Sequence, residues 1–191
     1  MTTARLLVIS AGLSTPSSTR RLADDLSSAV SSRLHAVGDE VDIDVVEVRD
    51  QAHAALSALL TGVVGPELLR AQRLIQDADA IIVSTPVFKG SYSGMFKVFI
   101  DALDPRVFAG KAVLLSATGG SDRHALVVDQ ELRPLFGFLQ ALTVPTAVFA
   151  TASDCTPELV PDLELRARIE RAADELTALS DLAARVREPA A

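Results

Sequence analysis

The sequence predicts a three-layer α/β fold built on a doubly wound parallel sheet of five strands in the order 2-1-3-4-5. Three observations predict it. Short Val-, Ile- and Leu-rich runs alternate with longer helix-like segments across the 191 residues, as strands and crossover helices do in a parallel sheet. Three of those runs are apolar almost without interruption, as strands buried on both faces must be. The second and fifth runs carry the marks of edge strands.

The strands in order are RLLVIS (5–10), VDIDVVEV (41–48), AIIVST (80–85), AVLLSAT (112–118) and PTAVFAT (145–151). In the second, Val41, Ile43 and Val45 alternate with Asp42 and Asp44, which predicts one wet face. The fifth starts at Pro145, a residue suited to an edge or a strand start. A first helix over 19–35 carries Leu22, Leu26, Ala29, Val30 and Leu34 on one side. A last helix repeats apolar residues from Leu165 to Val186 at spacings of three and four, and Pro189 stops it. No repeat or linker interrupts the chain, so a single domain over 1–191 is expected. This strand order is the flavodoxin-like one, in which a ligand lies beyond the carboxyl ends of strands 1, 3 and 4.

Composition narrows the function. A net charge of −7 argues against a general nucleic-acid binder. One cysteine, Cys155, excludes an intrachain disulfide and fits a reducing compartment. His35, His53 and His124 lie far apart and lack metal-ligand spacing. The start, MTTARLLVIS, enters a strand directly, and no apolar run reaches membrane-spanning length. A cytoplasmic protein is expected.

The loop after strand 1, SAGLSTPSSTRR (10–21), places six hydroxyl residues around Gly12 and Pro16 before a helix opens. Backbone N–H groups at a helix start, joined by hydroxyls, suit a phosphate. One such hydroxyl is an ordinary cap; six exceed what capping requires. The loop matches neither G-x-G-x-x-G nor G-x-x-x-x-G-K-[ST], so a mononucleotide with a terminal phosphate fits better than a dinucleotide or a P-loop ligand.

The loop after strand 3 is STPVFKGSYSG (84–94). Pro86 keeps Thr85 extended, Val87 and Phe88 offer an apolar wall, and Gly90 permits close backbone approach. A helix is expected from near Ser91, with Ser93 and Gly94 in its first turn. Its residues Met95, Phe96, Phe99, Ile100 and Leu103 are apolar around much of the circumference, which predicts a second neighbour such as another subunit. "GSYSG" has Tyr92 where a serine hydrolase needs its nucleophile, so that chemistry is excluded. The loop after strand 4, ATGGSDRHA (117–125), has Gly119-Gly120 for torsional freedom and Thr118 and Ser121 for hydroxyls. Ser121 equally suits a cap for a helix carrying Leu126, Leu132 and Leu135, and His124 reads as local structure.

Together these loops resemble the NAD(P)H-dependent FMN reductases of flavodoxin-like fold. The serine-rich first loop, "TPVFKGSYSG" leading to "FID", and "ATGGSDRHALVVDQELRPLF" carry the resemblance over nearly the whole chain. It is closest to the branch that supplies reduced flavin to luciferase-like monooxygenases. It implies that Ser10, Ser17, Ser18 and Thr19 hold the FMN phosphate. Pro86, Val87 and Phe88 would line the isoalloxazine, with Lys89 and Gly90 near, and Thr118, Gly119, Gly120 and Ser121 would meet its other polar edge. It also implies NADH or NADPH as hydride donor, no catalytic acid, base or nucleophile, and a homodimer or homotetramer, with 53–69 as an interface or substrate loop. Arg20, Arg21, Lys89 and Arg123 are the cations available to an NADPH phosphate. Two alternatives remain open: an FMN electron carrier, and a reductase of quinones, azo compounds or metal oxyanions. A carrier normally shields its ring with aromatics, and this chain has no Trp and one Tyr. A response-regulator receiver is excluded, since Ser10-Ala11 and Ser84-Thr85 stand where its acids belong.

Overall fold

The computed structural model describes residues 3–154 and 160–187. Cys155 and Pro189 lie outside the described residues, as does the side chain of Val186. The central parallel sheet runs β2 (Glu40–Glu47), β1 (Thr3–Ser10), β3 (Ala80–Phe88), β5 (Ala112–Thr118) and β6 (Leu142–Thr143). Strand β7 (Val148–Ala150) pairs farther along the same edge of β5, and β4 (Ser91–Tyr92) pairs antiparallel to the end of β3.

The flavodoxin-like order is therefore present, but the expected five strands are seven. The fifth is split because Pro145 has no N–H for a ladder. Groups around the break find other partners: Glu175 accepts from Thr146 N and Oγ1, both at 2.7 Å, and Arg133 donates to Val144 O and Pro145 O at 2.8 and 3.0 Å. The seventh strand arises at the tip of β3. There Lys89 (φ 54°) and Gly90 (φ 84°) turn the chain back as a two-residue hairpin with both central residues left-handed, the arrangement that matches strand twist.

Helices cover both faces. Leu6, Val8, Ile82 and Leu114 pack under α1 (Ser18–Ala36) and α6 (Leu163–Arg187), which contribute Leu22, Leu26, Val30, Ile169 and Leu176. On the other face Leu7, Ile9, Ile81, Val83 and Leu115 meet α2 (Val48–Thr61), α3 (Pro66–Asp77), α4 (Gly94–Asp101) and α5 (Arg133–Phe138). Strands β1, β3 and β5 are thus sealed on two sides, as their continuous apolarity predicts.

Four further expectations are corrected. The apolar face of β2 is wetter than expected: Ile43 and Val45 are 42% and 37% exposed, because α1 lies chiefly over β1, β3 and β5, and only Val41 on that face and Val46 on the other reach the core. The helix expected from Ser91 begins at Gly94, with Ser93 as its N-cap accepting from Phe96 N at 3.1 Å. Its apolar girth is absorbed within the chain: Phe96, Phe99, Ile100 and Leu103 are buried, and Met95 and Val98 lean on the same core. The helix expected after Ser121 is broken into a 3₁₀ turn (Asp122–His124), a π turn (Val128–Leu132) and α5, with Leu126 61% exposed. The wide turn precedes Pro134, which cannot donate into a regular α-helical ladder.

Candidate functional site

The strand register sets three loops side by side. Ser10, the last residue of β1, pairs with Ser84, and Thr118, the last of β5, pairs with Pro86 two residues further along β3, so the loops after the three strands leave the same edge of the sheet. At that edge Ala11 N donates to Ser84 O at 2.8 Å.

The first loop folds tightly back on itself. A Cβ on Gly12 would lie 2.0 Å from Ser17 Oγ, so only glycine fits. Ser17 caps α1 by accepting from Arg20 N at 3.1 Å. Ser17 is partly exposed and Ser18 exposed, whereas Thr19 turns inward and is buried. Its Oγ1 lies 2.7 Å from Thr118 Oγ1, also buried, which ties the start of α1 to the end of β5. Ser10 is wholly inside, and its Oγ has no hydrogen-bond partner.

A cavity of about 350 Å³ opens at this junction and gathers Ser17, Ser18, Thr118 and Gly119. Leu22, Ala150 and Leu165 continue its wall, with Arg21 and Asp25 beside them. Burial pushes the Asp25 carboxyl above its ordinary range, against the opposing pull of Arg21. Pro86 is buried next to Thr118; Val87 is half-buried, and Phe88, Lys89 and Gly90 stand out on the hairpin, beyond that cavity.

Gly120 faces open space, and Ser121 Oγ is spent on a long cap contact to Arg123 N at 3.4 Å. Neither Gly119 nor Gly120 has a positive φ, so the torsional reason for the pair is corrected. Gly119 is needed for space: a Cβ there would sit 2.7 Å from Phe149 Cζ.

Several supports escape a reading by loops alone. Thr85 Oγ1 accepts from Ser93 N at 3.2 Å and so anchors the return of the hairpin. Ser84 and Ser116 share a buried hydrogen bond beneath the loops. Arg20, one of the cations set aside for a second phosphate, is bound to Asp24 and Glu47 at 2.7 and 2.6 Å, and those carboxylates raise its pKa. Arg49, unremarkable in sequence, reaches from α2 to Ser14 O and Thr15 Oγ1 at 3.1 and 2.8 Å. Among the described residues no cluster of His, Cys, Asp or Glu has the arrangement of a metal centre.

A doubly wound sheet with hydroxyl-rich, glycine-bearing loops at its switch point defines a flavodoxin-like mononucleotide-binding protein. Comparison with known proteins is more specific. Residues 4–155 match the family model described as NADPH-dependent FMN reductase. The NADH-dependent FMN reductase SfnE of Pseudomonas putida is 39% identical over 175 residues, 91% of each chain. An FMN reductase (NADPH) of Pseudomonas aeruginosa is 38% identical over 176 residues, covering 92% of this chain and 91% of its own. An oxidoreductase from Corynebacterium diphtheriae superposes with a TM-score of 0.89 at 40% identity, covering 95% of this chain and 99% of its own. The apo form of the NADH:FMN oxidoreductase EmoB gives 0.78 at 30% identity, covering 92% and 89%.

The chain belongs to the NADPH-dependent FMN reductase family. Its activity is that of an NAD(P)H:flavin oxidoreductase, with FMN and a reduced nicotinamide as cofactors.

Proposed function

We propose that FMN lies across the carboxyl ends of β1, β3 and β5. Its phosphate would rest on loop 10–19 and its ring between residues 86–90 and 118–121. The observation that carries this reading is the start of α1, which has no acid in its first turn and opens directly from the hydroxyl-rich loop through the Ser17 cap. A helix N-terminus carries partial positive charge and favours an anion there; a phosphate supplies what the sequence withholds. The orphaned Ser10 Oγ fits too, since a buried hydroxyl without a partner is rare unless a ligand or water meets it.

When bound, FMN supplies a ring that takes hydride from NADH or NADPH and passes electrons to an acceptor. The chain's own residues bind and orient. Ser17 and Ser18 offer backbone and hydroxyl donors to a phosphate, and Thr19, whose hydroxyl is turned inward, holds Thr118 at the far side of the site. Pro86, Val87 and Phe88 give a stiff apolar wall, with Lys89 and Gly90 setting its turn. Backbone groups at Gly119 and Gly120, with Ser121 beyond, face the remaining polar edge. Donors fixed in advance stabilise developing negative charge without reorganisation. That leaves no proton-transfer role for a side chain.

Relatives named for NADH and for NADPH are similarly close, so the preferred nicotinamide is left to measurement. Reduced FMN would pass to a partner monooxygenase; transfer to quinones, azo compounds or metal oxyanions uses the same open face. A homodimer or homotetramer is supported by the exposed apolar ridge of α2 and the link to α3, where Leu60 and Val63 are 77% and 70% exposed. Among the described residues no single helix is long and apolar enough to cross a membrane.

The test is the visible spectrum of the purified protein, followed by oxidation of NADH and NADPH with and without added FMN. Oxidation that rises steeply with FMN supports the reading. Bound FMN that neither nicotinamide reduces favours an electron carrier instead.

A further inference from the structure

We infer that Arg49 supplies the fixed positive charge of the phosphate site and is the residue by which this chain tells FMN from unphosphorylated riboflavin. The inference rests on the placement of the phosphate at loop 10–19 proposed above.

A terminal phosphate monoester brings close to two negative charges, and the chain already carries a net −7. Loop 10–19 itself offers hydroxyls and N–H groups but no cation. The next residue, Arg20, is neutralised: its Nε bonds Asp24 and its Nη1 bonds Glu47. Arg21 lies beside Asp25 on the cavity wall. The hydroxyl loop therefore needs charge from elsewhere, and the neighbouring β2–α2 junction delivers it.

Arg49 is at the first turn of α2, two residues beyond Glu47. Its Nη1 donates to Ser14 O and Thr15 Oγ1, fixing the guanidinium against the loop two residues before the Ser17 cap. Its nearest carboxylate, Asp50, lies 3.8 Å from Nε and beyond hydrogen-bond distance. Among the described residues Nη2 has no hydrogen bond, and the side chain is 35% exposed. Nη1 is thus spent on holding the loop, while Nη2 keeps its donors and Asp50 offsets the charge only loosely, as an ion-pair neighbour without a hydrogen bond. Arginine suits this double duty because its planar fork presents five donors in fixed directions.

Two consequences separate a phosphate ligand from a mere loop strap. A strap shapes the site for any flavin, so its loss weakens FMN and riboflavin alike. A phosphate ligand acts on FMN alone, and its contribution is screened by salt.

The experiment is equilibrium binding of FMN and riboflavin, followed by flavin fluorescence, for the wild type, Arg49→Gln and Arg49→Lys at low and high ionic strength. Thermal unfolding of each variant checks that it folds. The wild type should prefer FMN. Arg49→Gln should lose about tenfold or more in FMN affinity, the worth of a charge-assisted hydrogen bond, with riboflavin changed far less. Arg49→Lys should recover part of the preference and its salt dependence. Equal losses for both flavins, or a preference that survives in Arg49→Gln, overturn the inference and leave the cofactor reading standing. A wild type that binds neither flavin overturns both.

Discussion

Thr19 Oγ1 and Thr118 Oγ1 lie 2.7 Å apart in the interior and join two loops separated by 99 positions in the chain. One hydroxyl comes from the first turn of α1 and the other from the last residue of β5. The bond sets the width of the mouth between loop 10–19 and loop 118–121, the two proposed to meet the phosphate and the ring. Replacing either threonine by valine keeps the volume nearly constant and strands the other hydroxyl in the interior. Each single variant should lose about 1–3 kcal/mol of stability. The double variant, with no stranded partner, should lose less than the sum of the two. Urea unfolding of all four proteins measures that coupling, and strictly additive losses would deny it.

Gly119 and Gly120 look equivalent in sequence and are not. A Cβ at 119 would press on the Phe149 ring, whereas one at 120 would meet open space. Gly119→Ala should therefore lose about 1–3 kcal/mol through overpacking. Gly120→Ala should unfold within about 0.5 kcal/mol of the wild type, as surface substitutions usually do. Equal destabilisation of the two by thermal or urea unfolding would place the strain elsewhere.

This pair also marks how far the sequence can be read. The strand order, the extended run Thr85–Phe88 and a hydroxyl cap at the start of the first helix follow from short-range rules: burial on two faces, proline's effect on its neighbour, and the hydroxyl preference at a helix start. The hairpin at Lys89-Gly90 is not legible because lysine seldom adopts a positive φ, which hides the two-residue turn signal. The contact of Arg49 with the first loop is hidden for a different reason. Its partners Ser14 and Thr15 lie more than thirty positions away, and local pattern is silent about which cation a neighbouring strand will bring alongside. Gly119 shows the same limit: its need for space depends on Phe149, which arrives from the next strand.

Asp25, on the cavity wall, gives a pH prediction. Burial raises its folded pKa, so the native state holds that proton more tightly than the unfolded chain does. Stability from this group is present below the unfolded carboxylate pKa and is lost as pH rises through the folded value. At neutral pH the half-buried charge is then a net cost. Asp25→Asn should raise the melting temperature at pH 7, and the gain should shrink as pH falls through the carboxylate range. A loss at pH 7 would mean that the attraction to Arg21 outweighs burial, and a gain that persists unchanged in acid would mean that the carboxylate charge is not its source.

The buried pair Ser84 and Ser116 yields an asymmetric prediction from counting hydrogens. Ser116 Oγ donates to Val83 O at 2.9 Å. A hydroxyl has one hydrogen, so in the bond between the two serines Ser84 must be the donor and Ser116 the acceptor. Removing Ser84 costs Ser116 only an incoming bond and leaves its own donation intact. Removing Ser116 strands the Ser84 hydrogen in the interior and also takes a partner from Val83 O. Ser116→Ala should therefore be the more destabilising, by about 1 kcal/mol or more over Ser84→Ala. Both serines are fully buried one level below the loops, so the same order should appear in flavin affinity if the row of strand ends holds the site in shape. Urea midpoints and FMN titrations of the two variants give both orders directly. A reversed order in stability would mean that the hydroxyl hydrogens run the other way along the row.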